Sequence, residues 1–197
     1  MGIMIALPCH GGIVNEKTTM SLFNLGKLLV RNNIPHGLLT QANSSLITHG
    51  RSKCANFFIN NTDHEYLFFL DSDIGFNPED VLRLLSHNEN IVSGTYPMKT
   101  IPIRYCVDVL QPEERKGDLL KVGGNGMGFV MIRRNVFADI AQKFPYLKYI
   151  PSTKDSNYPP TEAEMNNSYH YFAEEKIDDS FASEDKSFFY RARMSGY

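Results

Sequence analysis

Cysteine is scarce in this chain. Cys9, Cys54 and Cys106 are its only three, too few and too scattered for a disulfide framework or a structural zinc site. An odd number of free thiols fits a reducing compartment, so a cytoplasmic location is expected. An excess of either charge is lacking too: 20 Lys and Arg stand against 22 Asp and Glu, for a formal net charge of −2. Nothing in that balance asks for a nucleic-acid backbone or an anionic membrane as partner. A long apolar run is also missing. The opening "MGIMIALPCHGGIV" is apolar but short, has no basic leader and soon turns polar. It reads as a first strand, not as a signal peptide or membrane span. No internal repeat and no inter-domain linker is visible. The 197 residues suit one domain over 1–197, with room for a central sheet covered on both faces.

What is present alternates. Ile3 to Leu7 reads as a strand that breaks at Pro8, followed by a loop at Gly11-Gly12. Met20, Phe23, Leu25, Leu28 and Leu29 recur at helical spacing, between an N-cap at Asn15 and a stop at Asn32-Asn33. "HGLLTQ" is a strand, Arg51 opens a second helix, and "YLFFL" is a buried strand. Asn77-Pro78-Glu79-Asp80 starts a third helix, with Val81, Leu82, Leu84 and Leu85 as its apolar face. Three strand–helix alternations before residue 90 predict a parallel α/β sheet. Beyond it, "NIVSGTYP", "IRYCVDVL", "LLKVGG" and "GFVMIRR" are short strands of an antiparallel extension. A helix is expected over Arg134 to Phe144, a final strand at "YHYFA" and a final helix over Glu184 to Met194. Pro151 to Ser168 is polar and aperiodic, a long surface loop of the kind that forms a functional lid or is disordered.

The chemistry gathers at "LFFLDSDIGFNPED", where an apolar strand runs straight into Asp71, Ser72 and Asp73. Ligands of an open α/β sheet bind beyond the carboxyl ends of its strands. Strand residues two apart point the same way, so the two carboxylates are expected side by side. Like charges held close repel unless a cation neutralises them, and oxygen-only ligation suits Mg²⁺ or Mn²⁺ with substrate phosphates. The plainer reading is a solvated strand end with Asp73 beginning a turn. Three further stretches bear on that choice. Arg51 could reach phosphate or simply sit on the surface. In "GGNGMGFVMIRR", Gly123, Gly124, Gly126 and Gly128 allow close backbone approach to a ligand, or form a hairpin turn. In "SEDKSFFYRAR", Glu184 and Asp185 open a helix that Ser183 could cap.

Taken in order, the proline loop, Arg51, the strand before "DSD", "SGTYPMK", "GMGFVMIRR" and "SEDKSFFYRAR" resemble a known family. The chain looks like a small GT-A-fold glycosyltransferase, of the family-two-like kind found in bacteriophages and large algal viruses, over nearly its whole length. The resemblance implies a Rossmann-like three-layer α/β/α fold with a mixed, mainly parallel central sheet and a small antiparallel extension. It implies metal-dependent, inverting transfer from a nucleoside-diphosphate sugar, by analogy a UDP-sugar, to the hydroxyl of a glycan, a protein or a modified nucleobase. On that analogy Asp73 ligates a Mn²⁺ or Mg²⁺ that bridges the donor diphosphate. Asp71 contacts the ribose or the metal's water shell, with Ser72 between them in the cofactor-binding stretch. Pro8, Cys9 and His10 line the nucleotide, and Arg51 falls where a nucleotide- or phosphate-binding arginine is expected. Tyr96, Lys99, Gly126 and Met127 border the donor sugar or acceptor. Asp185 matches the catalytic base, with Glu184 beside it. Related chains usually carry a later histidine that completes the metal site, whereas this sequence stops at "MSGY". His170, a water-completed site, or a chain cut from a longer protein are the ways to account for that.

Three other readings compete. A phosphatase of the haloacid-dehalogenase type also uses D-x-D after an apolar strand, with Asp178-Asp179 as its late acidic pair. A nucleotide-sugar-binding module without turnover would keep the fold alone. Cys9-His10 invites a thiol nucleophile, but adjacent residues rarely point productively into one another and no third orienting group is evident.

Overall fold

Along Ile3–Leu7 successive side chains turn to opposite faces of one strand, and each face finds its own helices. The structure, a computed structural model, describes residues 2–153 and 159–197. Its first half alternates β1 (Ile3–Cys9), α1 (Glu16–Arg31), β2 (His36–Ala42), α2 (Ile47–Asn61), β3 (Tyr66–Leu70), α3 (Pro78–His87) and β4 (Ile91–Ser93). Short strands follow as β5 (Val107–Val109), β6 (Arg115–Lys116), β7 (Leu119–Leu120) and β8 (Val122–Asn125), then β9 (Phe129–Arg133) and α4 (Arg134–Lys143). The chain closes with β10 (Lys148–Tyr149), α5 (Glu162–Asn166), β11 (Ser168–Tyr169), β12 (Glu175–Ile177), β13 (Ser180–Ala182) and α6 (Glu184–Met194).

The central sheet runs β2-β1-β3-β9-β4. β1 pairs parallel with β2 and β3, whereas β9 is antiparallel to both β3 and β4. The expected mixed, mainly parallel α/β architecture is therefore present. Ile3, Ile5 and Leu7 pack with Leu25 and Leu29 of α1 and with Val81, Leu84 and Leu85 of α3. Met4 and Ala6 pack on the other face with Cys54, Ala55 and Phe58 of α2, Phe137 of α4 and Phe188 of α6. Each large side chain fully buried this way contributes about 1.5–3 kcal/mol. Among the described residues no helix is long and apolar enough to cross a membrane.

Several elements depart from expectation. β1 does not break at Pro8 but continues to Cys9; pairing with β3 ends at Ala6, so Pro8 lies where β2 alone is paired. α1 buries Thr18, Ser21, Leu25 and Leu29 and leaves Met20 and Phe23 exposed. Ser21 turns inward because its hydroxyl donates to Phe76 O at 2.7 Å and accepts from Phe76 N–H at 3.0 Å. Leu25 and Leu29 of the expected stripe are fully buried on the same face. α2 begins at Ile47, so Arg51 lies inside it and does not open it. The expected loop over 151–168 contains α5, closed by a capping box between Thr161 and Glu164; residues 154–158 lie outside the described residues. "YHYFA" is no strand: after Tyr169 the chain turns, and Tyr171 and Phe172 enter the core.

One side chain closes the end of α2. The Arg134 guanidinium donates to the carbonyls of Phe58, Ile59 and His64 at 3.0 Å and of Thr62 at 2.6 Å, and stacks 4.2 Å from the Phe58 ring. It thereby satisfies carbonyls that a helix end leaves without partners. Arg134→Met keeps the stem and strands those carbonyls, so unfolding in urea is expected to show a loss of about 2–4 kcal/mol. A loss below about 0.5 kcal/mol would show that water replaces the clamp.

Candidate active site

β3 stops at Leu70 because the backbone then commits to a turn. Asp71 N–H donates to Gly128 O at 3.0 Å, and Ile74 N–H closes back on Asp71 O at 3.2 Å. Strand alternation ends there, so it does not place the Asp73 carboxylate on the same side as that of Asp71. Asp71 faces inward and accepts from Arg51 Nη2 at 3.0 Å, with its side chain 29% exposed. Asp73 faces outward, 48% exposed, with Lys99 Nζ at 2.5 Å from its Oδ2. The hydrogen bond to Asp73 holds the Lys99 ammonium above its usual range, and the Asp71 charge adds to the effect. The two acids thus share one neighbourhood while holding different cations. Ser72 ties the turn to the start of α1, its carbonyl accepting from Asn15 N–H at 2.8 Å.

Arg51 is buried beneath this turn, its guanidinium 5.9 Å from the Phe69 ring. Besides Asp71 it donates to Met127 O at 3.2 Å, and its Nε lies 3.8 Å from Glu184 Oε1. One cation therefore joins the end of β3, the glycine stretch and the first turn of α6. Met127 reaches the site through that carbonyl, while its side chain is in the core. Burial pushes the Glu184 carboxyl above its ordinary range, the Arg51 charge opposes this, and Asp185 adds to it. Asp185 takes its hydrogen bonds on Oδ1, from Lys186 N–H at 2.7 Å and from the Ser183 hydroxyl. Ser183 stands at the N-cap position, yet its hydroxyl caps no backbone N–H.

The glycines act through close approach. A Cβ on Gly128 would lie 2.6 Å from Asp71 Oδ2 and 2.8 Å from the Tyr96 hydroxyl, which accepts from Gly128 N–H at 3.0 Å. A Cβ on Gly126 would lie 2.5 Å from Cys106 Sγ. Burial raises the Tyr96 phenol well above its ordinary value, the Gly128 bond opposing. The Cys106 thiol is likewise raised, by burial first and then by the Asp185 and Asp71 charges. Cys106 is a site residue that sequence reasoning missed; no motif marks it, and only its pairing with Tyr96 and Gly126 brings it here.

Other expected residues are less central. Pro8 and Cys9 are buried in β1, where burial raises the Cys9 thiol. His10 is exposed beyond the strand, its Nδ1 3.3 Å from Ser44 O. His170 packs edge-on to His49 at 6.4 Å and Tyr149 at 6.2 Å. Burial, then His49 and Arg191, hold its imidazole below the ordinary value. Among the described residues no three His, Cys, Asp or Glu side chains converge as a metal-ligand group. His170 therefore does not complete one with Asp71 and Asp73. Asp178 and Asp179 take positive φ values of 47° and 64° in the turn between β12 and β13, and Asp179 pairs with Lys176 at 2.5 Å.

A solved structure of A197 from STIV aligns with 98% of this chain and 78% of its own, at TM-score 0.53 and 20% identity. The likeness is one of fold. A structure of 4-diphosphocytidyl-2C-methyl-D-erythritol synthase from Anaerococcus prevotii aligns with 79% of this chain and 81% of its own, at TM-score 0.42 and 9% identity, short of a shared fold. No protein-family model matches the chain, and no curated protein matches it by sequence.

The Glu184 carboxyl gives a pH test. A carboxyl raised in the folded state binds its proton more tightly there than in the unfolded chain. Its contribution to stability is thus fullest at low pH and declines as pH rises above the ordinary value of 4.5. Glu184→Gln removes that decline, so the variant should gain on wild type in urea melts as pH rises from about 4 to 7. A difference that stays constant with pH would refute the assignment.

Proposed function

We propose that this chain is a metal-dependent, inverting glycosyltransferase, moving a sugar from a nucleoside-diphosphate sugar, UDP-linked by analogy, to an acceptor hydroxyl. The observation that supports it most is the outward carboxylate of Asp73, which already carries a cation in the Lys99 ammonium. It stands at the carboxyl edge of the sheet, where α/β folds bind ligands. Carboxylate oxygens suit Mg²⁺ or Mn²⁺, and Lys99, the present counter-ion, is an exposed side chain free to yield its place. A divalent cation bound there screens the charge that grows on the departing diphosphate.

The remaining roles belong to the chain itself. Asp71, tied to Arg51, serves as the fixed edge of the donor site toward the ribose or the metal's water shell. Asp185 is the base. Its Oδ1 is occupied by Lys186 N–H and the Ser183 hydroxyl, which leaves Oδ2 to take the acceptor proton. As that proton leaves, the acceptor oxygen bonds to the anomeric carbon from the face opposite the diphosphate. The bond from that carbon to the diphosphate oxygen breaks, its electron pair leaves with the diphosphate, and the configuration inverts. Glu184, held against Arg51, positions the start of α6. The phosphatase reading loses its second acidic pair, because Asp178 and Asp179 shape an exposed turn.

Two variants separate binding from chemistry. Asp73→Asn is expected to weaken Mn²⁺-dependent UDP binding at least about tenfold by calorimetry; unchanged affinity would remove Asp73 from the metal site. Asp185→Asn should bind UDP within about twofold of wild type while transfer falls by about 10²–10⁴. Normal turnover would eliminate Asp185 as base. Tight donor binding by wild type, with no transfer to any hydroxyl acceptor, would favour the non-catalytic module.

A further inference from the structure

Behind the candidate active site lies a cavity of about 660 Å³, within the range that holds small-molecule ligands. Its lining includes Ile91, Thr95, Val107, Leu119, Asn125 and Phe189. Three of these are chain neighbours of site residues: Thr95 precedes Tyr96, Val107 follows Cys106, and Asn125 precedes Gly126. The segments are joined laterally, Cys106 N–H to Tyr96 O at 3.1 Å and Gly126 N–H to Cys106 O at 2.8 Å, with Val107 opposite Asn125 in register. In extended chain, consecutive side chains face opposite ways. One strand-thick wall therefore presents Tyr96, Cys106 and Gly126 to the active site and Thr95, Val107 and Asn125 to the cavity.

We propose that this cavity is a second ligand site, for a neutral, mostly apolar small molecule that bears one N–H or O–H donor. The lining is largely apolar, as ligand sites are. Charge argues for neutrality, because three of the four basic groups around it are ion-paired and the fourth is directed onto a backbone carbonyl. Lys116 pairs with Glu89 at 2.6 Å, Lys121 with Glu114 at 2.8 Å and Arg115 with Glu113 at 3.1 Å, while Arg193 donates to Gly123 O. Asn125 argues for the donor. It is 6% exposed, its Nδ2 donates to Gly94 O at 3.3 Å, and its Oδ1 is buried without a partner. A buried acceptor left unsatisfied carries a penalty that an occupant's N–H or O–H would remove. The proposal is independent of any glycosyl transfer at the front of the wall.

The test uses 2-phenylindole, a neutral aryl N–H compound, and its N-methyl analogue. The chain has no tryptophan, so indole emission reports the probe alone. Wild type is expected to bind 2-phenylindole at one saturable site and the N-methyl analogue about tenfold more weakly. Val107→Phe, which puts a ring into the cavity from its wall, should weaken the binding at least about tenfold. Methyl NMR of wild type should show probe-induced shifts at Ile91, Val107 and Leu119, and decides the location even if the variant fails to fold. Absence of saturable binding, or shifts confined to methyls elsewhere, would overturn the site. Equal affinity for the two probes would overturn the requirement for a donor.

Discussion

A buried guanidinium is the constraint on which the rest of the site depends. Arg51 is withdrawn from water and meets three groups that arrive from separate parts of the chain: Asp71, the Met127 carbonyl and Glu184. Removing a charge from water is costly, and close partners offset it. Two arrive as hydrogen bonds, and Glu184 acts through its charge, 3.8 Å from an Nε that has no hydrogen bond among the described residues. Each partner thereby becomes necessary to the others. The planar fork of arginine can donate in several directions at once, which a lysine ammonium on the same backbone could not reproduce. The inner acid, Asp71, is held by this buried cation, whereas the outer one, Asp73, pairs with the exposed Lys99.

A second constraint is thickness. Gly126 and Gly128 bring backbone to where a side chain would otherwise stand, and Tyr96 and Cys106 occupy the space so released. The barrier between the candidate active site and the cavity behind it is then only one layer of extended chain. Packed interiors deform little, so what touches one side of such a barrier is mechanically close to the other.

The sequence makes its local physics legible and its long-range physics much less so. Asn15 and Asn77 cap the helices expected of them, each accepting from a backbone N–H two residues on, because capping is decided within one turn. "YLFFL" and the last helix, Glu184–Met194, have the bounds expected of them. The buried face of α1 was legible only in part: Leu25 and Leu29 lie on it as expected, but Ser21 joins it through Phe76, a residue 55 positions away, and Met20 and Phe23 stay outside. Arg51 read as a phosphate or surface group because no spacing connects it to residues 71, 127 and 184. Alternation would have aligned Asp71 with Asp73 had the strand continued; the turn that Ile74 N–H closes on Asp71 O ended it first. His170 was drawn toward the metal by its residue type, whereas its neighbours are aromatic rings.

The reversal of β9 has a consequence of its own. In a wholly parallel sheet a strand begins at the rim opposite the one where its neighbours finish. Running backwards between β3 and β4, β9 enters where they exit, so Ser93 and Val130 are partners. The excursion from 94 to 128 departs from and returns to one rim, with its feet side by side. Such a detour can lengthen or shorten between its feet without shifting the strand register. Its feet, at Tyr96 and at Met127, are fixed by the site, and the stretch between them is where length can change without shifting the scaffold.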